Sequence, residues 1–262
     1  MIKIVGAILG LIIWGFWGLV LGIIIGHQVD KRMPFLLAKL LKNVLMKHHA
    51  KVQQAFFEAT FSVMGCVAKA DGRVSEQEIA MARQVMQRMG LDEAARRQAI
   101  DYFGQGKAAD FDIDAALQKL RSATVGRRNL VQMFIEIQLG AGYADGDLHE
   151  EERQLLIKIC TTLGLSEADF ERLDTMIRAQ IHSHQPGRTG GVSVEDAYTI
   201  LDIDASATDA EVKKAYRLLT SQHHPDKLAA KGLPPEMMKI AEEKTHEIRT
   251  AYERIREKRG FK

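Results

Sequence analysis

Cysteine is scarce in this chain. Two thiols, Cys66 and Cys160, serve 262 residues, and neither belongs to a CxxC pair. A zinc ribbon needs four closely spaced ligands, so none is encoded. Nothing supports a disulfide, and two reduced, buried thiols are expected. Charge imbalance is missing as well: 36 basic side chains face 34 acidic ones. That balance gives no sign of nucleic acid as a partner. From Ile4 to Gly26 charge is absent altogether.

This uncharged run is the first positive feature. As a helix it would extend roughly 34 Å, against a bilayer core of about 30 Å. A secretory signal peptide has an apolar core of roughly 7–15 residues and a small-x-small cleavage site. The run is longer, and "GIIIGHQVDKRM" offers no such site. An uncleaved transmembrane helix over 4–26 is therefore expected, followed by a basic juxtamembrane segment over 27–55. Lys31, Arg32, Lys39, Lys42, Lys47 and Lys51 follow the run with only Asp30 against them, while Lys3 alone precedes it. Basic residues stay cytoplasmic, so the N-terminus should lie outside and the bulk of the chain inside. Reduced cysteines fit a cytosolic setting.

Within the run, Gly6, Gly10, Gly18, Gly22 and Gly26 lie on one row of four-residue steps, with Trp14 in the gap and Gly15 alongside. Small residues four apart let two helices approach closely in lipid. Glycine is also simply common in membrane helices. The length of the row favours a homodimer through this helix. Trp14 and Trp17 stand near mid-span rather than at the interfaces where tryptophan concentrates, which a partner surface would explain.

A repeat occupies the middle. "VAKADGRVSEQEIAMARQVMQRMGLDEA" and "GAGYADGDLHEEERQLLIKICTTLGLSEA" align Asp71 with Asp145, Gly72 with Gly146, Glu78 with Glu152 and Gly90 with Gly164. Each copy reads helix, Asp-Gly turn, helix, glycine stop. Asp-Gly followed by five residues and Glu matches the second half of a calcium loop, with Val74 and Leu148 as its apolar residue. The early ligand positions hold Val67 and Lys69, or Ala141 and Tyr143, and these cannot supply six or more oxygens. Ser75 with Glu78 instead forms a capping box. The apolar spacing of Phe56, Phe57, Phe61 and Met64, and of Leu155, Leu156, Ile159 and Leu163, gives helices with one inward face. The paired pattern resembles the TerB-like domain of tellurite-resistance proteins, over about 56–180. That resemblance implies a compact all-helical domain. No Ser/His/Asp or Cys/His set appears in it. The segment "HSHQPGRTGGVS" then breaks the periodicity, giving a flexible linker over 181–192. His182 and His184 there are expected to be solvated rather than metal-bound.

The remaining residues, 193–262, read as helices. Ser193 with Asp196 caps a short one, and Thr208 with Glu211 forms a capping box for the next. Val212, Tyr216 and Leu219 share a face, with Lys213, Lys214 and Arg217 on the adjoining arc. Pro225 ends this helix. After Pro234 and Pro235 another helix follows, with Ala241, Lys244, Ile248, Ala251, Tyr252 and Ile255 as its inward stripe. An antiparallel hairpin results, with His224-Pro225-Asp226 at an exposed tip. Three readings of the tip compete. A catalytic pair lacks a nucleophile. A metal site of His223, His224 and Asp226 needs a fourth ligand from elsewhere. A contact loop needs only exposure.

"AYTILDIDASATDAEVKKAYRLLTSQHHPDKL" closely resembles the J domain of DnaJ-type co-chaperones. The match runs through Tyr198, Leu201, Val212, Lys213, Lys214, Ala215, Tyr216, Arg217, Leu219 and the His224-Pro225-Asp226 signature, and reaches "EIRTAYERIREKR". Apolar anchor, TerB-like domain and J domain together resemble the membrane-anchored DnaJ-like proteins of the bacterial inner membrane. The resemblance implies an all-α, non-enzymatic co-chaperone without cofactor. Its partners would be membrane lipid and a DnaK-type heat-shock chaperone whose ATPase it stimulates. His224, Pro225 and Asp226 would form the contact loop, and Lys213, Lys214 and Arg217 would dock on an acidic surface. Leu218 and Gln222 depart from the family by standing where many J domains are basic. The glycine/phenylalanine-rich and zinc modules that help hold clients in the DnaJ family do not follow. Recruitment of the chaperone to the inner face of the membrane is therefore expected, with the TerB-like domain choosing the target. The alternative is a membrane-tethered stress or metal sensor with the J domain as its output.

Overall fold

The computed structural model describes residues 46–70, 76–143, 146–183 and 192–261. All are helix, turn or loop; no strand occurs among them. The chain divides into a unit over 1–50 and a unit over 51–262. Of the first unit only residues 46–50 are described, and they are helical. The uncharged run with Gly6, Gly10, Gly18, Gly22 and Gly26 lies outside the described residues. Among those described, no helix is long and apolar enough to cross a membrane.

The second unit begins with α1 over residues 51–67. It continues through α2 (Glu76–Met89), α3 (Glu93–Gly106), α4 (Ile113–Ala123), α5 (Arg128–Gly142), α6 (Glu150–Thr162) and α7 (Glu167–Ser183). Local chemistry starts these helices. The Asp92 and Asp112 carboxylates accept from the backbone N–H of Ala95 and Ala115, at 2.8 and 2.9 Å. The two glycine stops of the repeat are built alike. Gly90 and Gly164 have φ of +67° and +87°, where a side chain would be strained. Behind them Leu91 N–H donates to Met86 O and Leu165 N–H to Cys160 O, closing each helix with a six-to-one bond.

The predicted core faces pack as expected. Phe56, Phe57, Phe61 and Met64 are buried, as are Leu156, Ile159 and Leu163, with Leu155 half-buried against them. The core starts earlier than the sequence reading put it. Val52 and Ala55 are already buried, although the juxtamembrane segment was expected to run to residue 55. Their spacing from Phe56 and Ala59 continues the inward stripe, which the flanking lysines obscure in sequence. The far boundary moves as well. α7 continues through Ser183, so residues 181–183 are helix rather than linker, and His182 lies 3.3 Å from Asp196 instead of standing free in water. Cys160 is buried, and burial pushes its thiol up to about 12; Cys66 is half-buried and also raised by desolvation. Both thiols are free.

Side chains at the early positions of the would-be calcium loops are engaged elsewhere. Val67 is buried in the core, and Lys69 Nζ donates to Lys107 O at 2.7 Å. Tyr143 Oη donates to Asp174 at 2.5 Å and accepts from Arg178 at 2.6 Å. Asp71, Ser75 and Asp145 lie outside the described residues.

The last part of the unit contains α8 (Val194–Ile200), α9 (Asp209–His223), α10 (Pro225–Lys231), a 3₁₀ turn (Pro235–Met237) and α11 (Met238–Arg259). α9 and α11 run antiparallel: Asp209 meets Arg259, Tyr216 stacks on Tyr252 at 4.2 Å, and the His223 carbonyl meets Thr245. Between them and α8 lies a core of Tyr198, Leu201, Val212, Leu219, Ile248 and Ile255.

Candidate functional site

α9 carries the basic arc because its capping box forms as the sequence predicts. Thr208 Oγ1 accepts from Glu211 N–H at 3.3 Å, and Glu211 accepts from Thr208 N–H at 2.7 Å. With Val212 and Leu219 turned into the core, Lys214 and Arg217 are left exposed. Lys213 differs. It is half-buried with Nζ 5.1 Å from the centre of the Phe261 ring, so part of its side chain is used for packing. Leu218, beside this arc, is 55% exposed and adds an apolar patch.

His224 is the pivot between α9 and α10. Pro225 at the first position of α10 fixes φ there and needs no hydrogen-bond acceptor. His224 Nδ1 accepts from Asp226 N–H at 3.2 Å, so the imidazole caps α10 and its own N–H lies on Nε2. Asp226 is exposed in the first turn, where the helix dipole favours a carboxylate. Lys227 Nζ donates to Ser221 Oγ across the bend at 2.5 Å. The three signature residues are thus fixed by local bonds in a bend with one accessible side.

The other side of the bend is not open, which corrects the expected exposed tip. His224 and Pro225 are half-buried. Asn129 at the start of α5 donates to the Gln222 carbonyl at 3.1 Å. Beyond the bend, Leu228, Leu233, Met237 and Ala241 are fully or almost fully buried, and they pack into the hydrophobic core of α1–α7 rather than that of α8 and α9. The exchange is mutual, since Met176 and Ala179 of α7 pack into the other core. Gly232 has φ of +105°, and a β-carbon there would stand 2.6 Å from Val52 Cγ1. The short α10 packs on α5 as well as on both hairpin helices, and its Leu228 joins the α1–α7 core.

A set of titratable side chains is enclosed where the two cores meet. Glu136 of α5, His223 of α9 and Lys244 of α11 are each no more than 5% exposed. Lys244 Nζ lies 3.1 Å from Glu136 Oε2, off the direction of a hydrogen bond, and donates to Gln180 Oε1 at 2.9 Å. His223 Nε2 stands 3.6 Å from Glu136 Oε1, beyond hydrogen-bond distance. Burial pushes the His223 imidazole below its usual 6.5; Glu136 opposes that shift and Lys244 adds to it. Lys244 is therefore inward, as its stripe implies, because a carboxylate from another helix waits for it.

Asn129, Glu136 and Gly232 are the residues that sequence reasoning missed. Glu136 had a signal: it is the lone charge in the largely apolar stretch "NLVQMFIEIQLGAG". Such a charge inside a core helix demands a partner. Gly232 follows Lys231 at a helix end, a common left-handed position. Asn129 gave none.

The comparisons with known proteins follow this architecture along the chain. The co-chaperone DjlA transmembrane domain family matches residues 1–53, the tellurite resistance protein TerB family residues 57–175 and the DnaJ domain family residues 196–259. Co-chaperone protein DjlA of Coxiella burnetii is 45% identical over 99% of this chain and 98% of its own length. The proteins of the same name from Escherichia coli K12 and Photobacterium profundum are 41% and 43% identical, again over 99% of this chain and 98% and 99% of theirs. No solved structure matches. With a membrane-domain match, a TerB-type helical domain, a J domain bearing His224-Pro225-Asp226 and full-length relatives of one name, the chain belongs to the DjlA family of membrane-anchored bacterial co-chaperones.

Proposed function

We propose that this chain recruits a DnaK-type chaperone to the cytoplasmic face of the inner membrane and stimulates its ATPase. The observation that carries the reading is the bend at His224-Pro225-Asp226, locked by Pro225 and the His224 cap, next to exposed Lys214 and Arg217. A preformed loop loses little conformational freedom on binding. Neighbouring cations steer an acidic partner toward it. The chain does no chemistry of its own in this reading: the chaperone holds the ATP, and the loop favours its hydrolysis-competent state. Residues 4–26 anchor the chain with the N-terminus periplasmic and pair it with a second copy along the glycine row. Lys213 contributes less than Lys214 and Arg217, because its ammonium already lies over the Phe261 ring.

Single-turnover ATP hydrolysis by a DnaK-type chaperone, with and without the full chain, tests this. His224→Gln should remove stimulation while helix content stays the same. Equal stimulation by wild type and His224→Gln contradicts the reading.

A further inference from the structure

We propose that the TerB-like domain restrains the His224-Pro225-Asp226 bend in a self-contacted state, and that parting α5 from the bend raises its availability to the chaperone. The inference rests on the proposed chaperone contact and adds a control to it.

Three independent features converge on the back of the bend. Asn129 holds the Gln222 carbonyl, two residues before His224. Leu228, two residues after Asp226, is fully buried in the α1–α7 core. Gly232 packs so close to Val52 that a β-carbon there would stand 2.6 Å from its Cγ1. A chaperone interface of ordinary size covers about 800 Å² on each partner. A footprint that wide, centred on three residues of which two are half-buried, runs into the α5 side of the bend. A binding surface free only in a minor state loses apparent affinity in proportion to that state's population.

The contact is also built to part. Its centre holds Glu136, Lys244 and His223, all stripped of water. The Lys244–Glu136 approach lacks hydrogen-bond direction and His223 lies 3.6 Å off, so the attraction offsets the lost hydration only in part. When the surfaces separate, all three regain water. The apolar residues around them hold the contact closed, and the polar centre keeps it from being irreversible. Any ligand that binds α5 or α7 better in the parted state would shift the balance toward the active form.

Two variants of the full chain in lipid nanodiscs test this from opposite directions. Glu136→Lys replaces the buried carboxylate with a second cation beside Lys244, next to His223, and should part the surfaces. Val52→Cys with Gly232→Cys should lock them. The two β-carbons would stand about 3.1 Å apart, a few tenths of an ångström inside the range a disulfide spans. The strain of a side chain at residue 232 is the same in oxidised and reduced samples, so each serves as the other's control. Two readouts are taken: amide hydrogen exchange over residues 222–233 without chaperone, and the concentration giving half-maximal ATPase stimulation. Glu136→Lys should speed exchange and lower that concentration about fivefold or more. The locked protein should stimulate less when oxidised than when reduced, with wild type indifferent to reductant. If wild type stimulates but both variants match it at half-saturation, the restraint is refuted and the chaperone reading survives. If neither wild type nor Glu136→Lys stimulates, the chaperone reading itself fails. Stimulation by Glu136→Lys from a silent wild type supports both.

Discussion

The two ends of the J-domain hairpin are held in different ways. At the far end the domain is tied chiefly by its own residues, with Arg172 of α7 reaching Asp202 at 3.5 Å. Arg259 donates to Tyr198 Oη, to the carbonyls of Ala205 and Ala207 and to Asp209, tying the end of α11 to the loop between α8 and α9. Tyr216 and Tyr252 stack just above. At the end that carries the signature, the domain borrows. Leu228, Leu233 and Met237 are buried against α1–α7, and the enclosed charges are shared between helices of both parts. The signature end therefore depends on the neighbouring helices more than the far end does, and it is the end expected to open first. The open-capable end is where the chaperone is proposed to bind.

Leu228→Ala should break this comparison most strongly. The side chain is fully buried, and its loss costs about 3 kcal/mol by transfer and cavity terms. The expected result is faster exchange over 222–233 and a lower urea midpoint, with amides of α8 unaffected. Loss of protection in α8 as well would mean that the two ends are not independent.

Arg259→Ala should produce the reverse pattern at smaller cost. It removes four bonds, yet the guanidinium is 20% exposed and water replaces part of what is lost, leaving about 1 kcal/mol. Exchange should rise in residues 202–208 and stay constant over 222–233.

Acidification sharpens the comparison most gently. His223 is held neutral by burial, so its folded value lies below the 6.5 of the open form. The open form then takes up a proton that the closed form refuses. The closed contact is fully stabilised above about pH 6.5 and weakens as pH falls toward the lowered folded value. The groups facing it are Glu136 from α5 and Lys244 from α11; Glu136 favours the protonated ring and Lys244 opposes it. The urea midpoint should therefore drop between about pH 7 and pH 5. His223→Gln, which cannot charge, should reduce that drop. An equal drop in both proteins assigns it to other groups.

Much of this molecule was legible in the chain. The Thr208–Glu211 capping box, the helix stop before Pro225 and the glycine stops at Gly90 and Gly164 follow from local chemistry, and each forms as expected. Apolar spacing identified which way α1, α6 and α11 face. Spacing says that a residue points inward but not what it meets there. Lys244 belongs to an inward stripe, while its carboxylate partner lies over a hundred residues earlier in α5. Leu228 sits in a seven-residue helix too short to show a period. Boundaries failed for the same reason. Val52 precedes the obvious aromatic cluster, and α7 runs on to Ser183 because Ile181 still packs on the core and His182 meets Asp196, a partner that spacing does not show. What the sequence conceals is the pairing of two well-formed parts.

The most direct test of that pairing is amide exchange in Leu120→Ala. Leu120 of α4 is fully buried in the α1–α7 core, so its loss loosens that core from within. The amides of Leu228 and Leu233 donate to His224 O and Leu228 O, and that of Leu201 donates to Ala197 O. If the signature end belongs to the neighbouring core, protection at Leu228 and Leu233 falls in step with α5 while Leu201 keeps its own. Leu228 and Leu233 retaining full protection as α5 loses it would contradict the account.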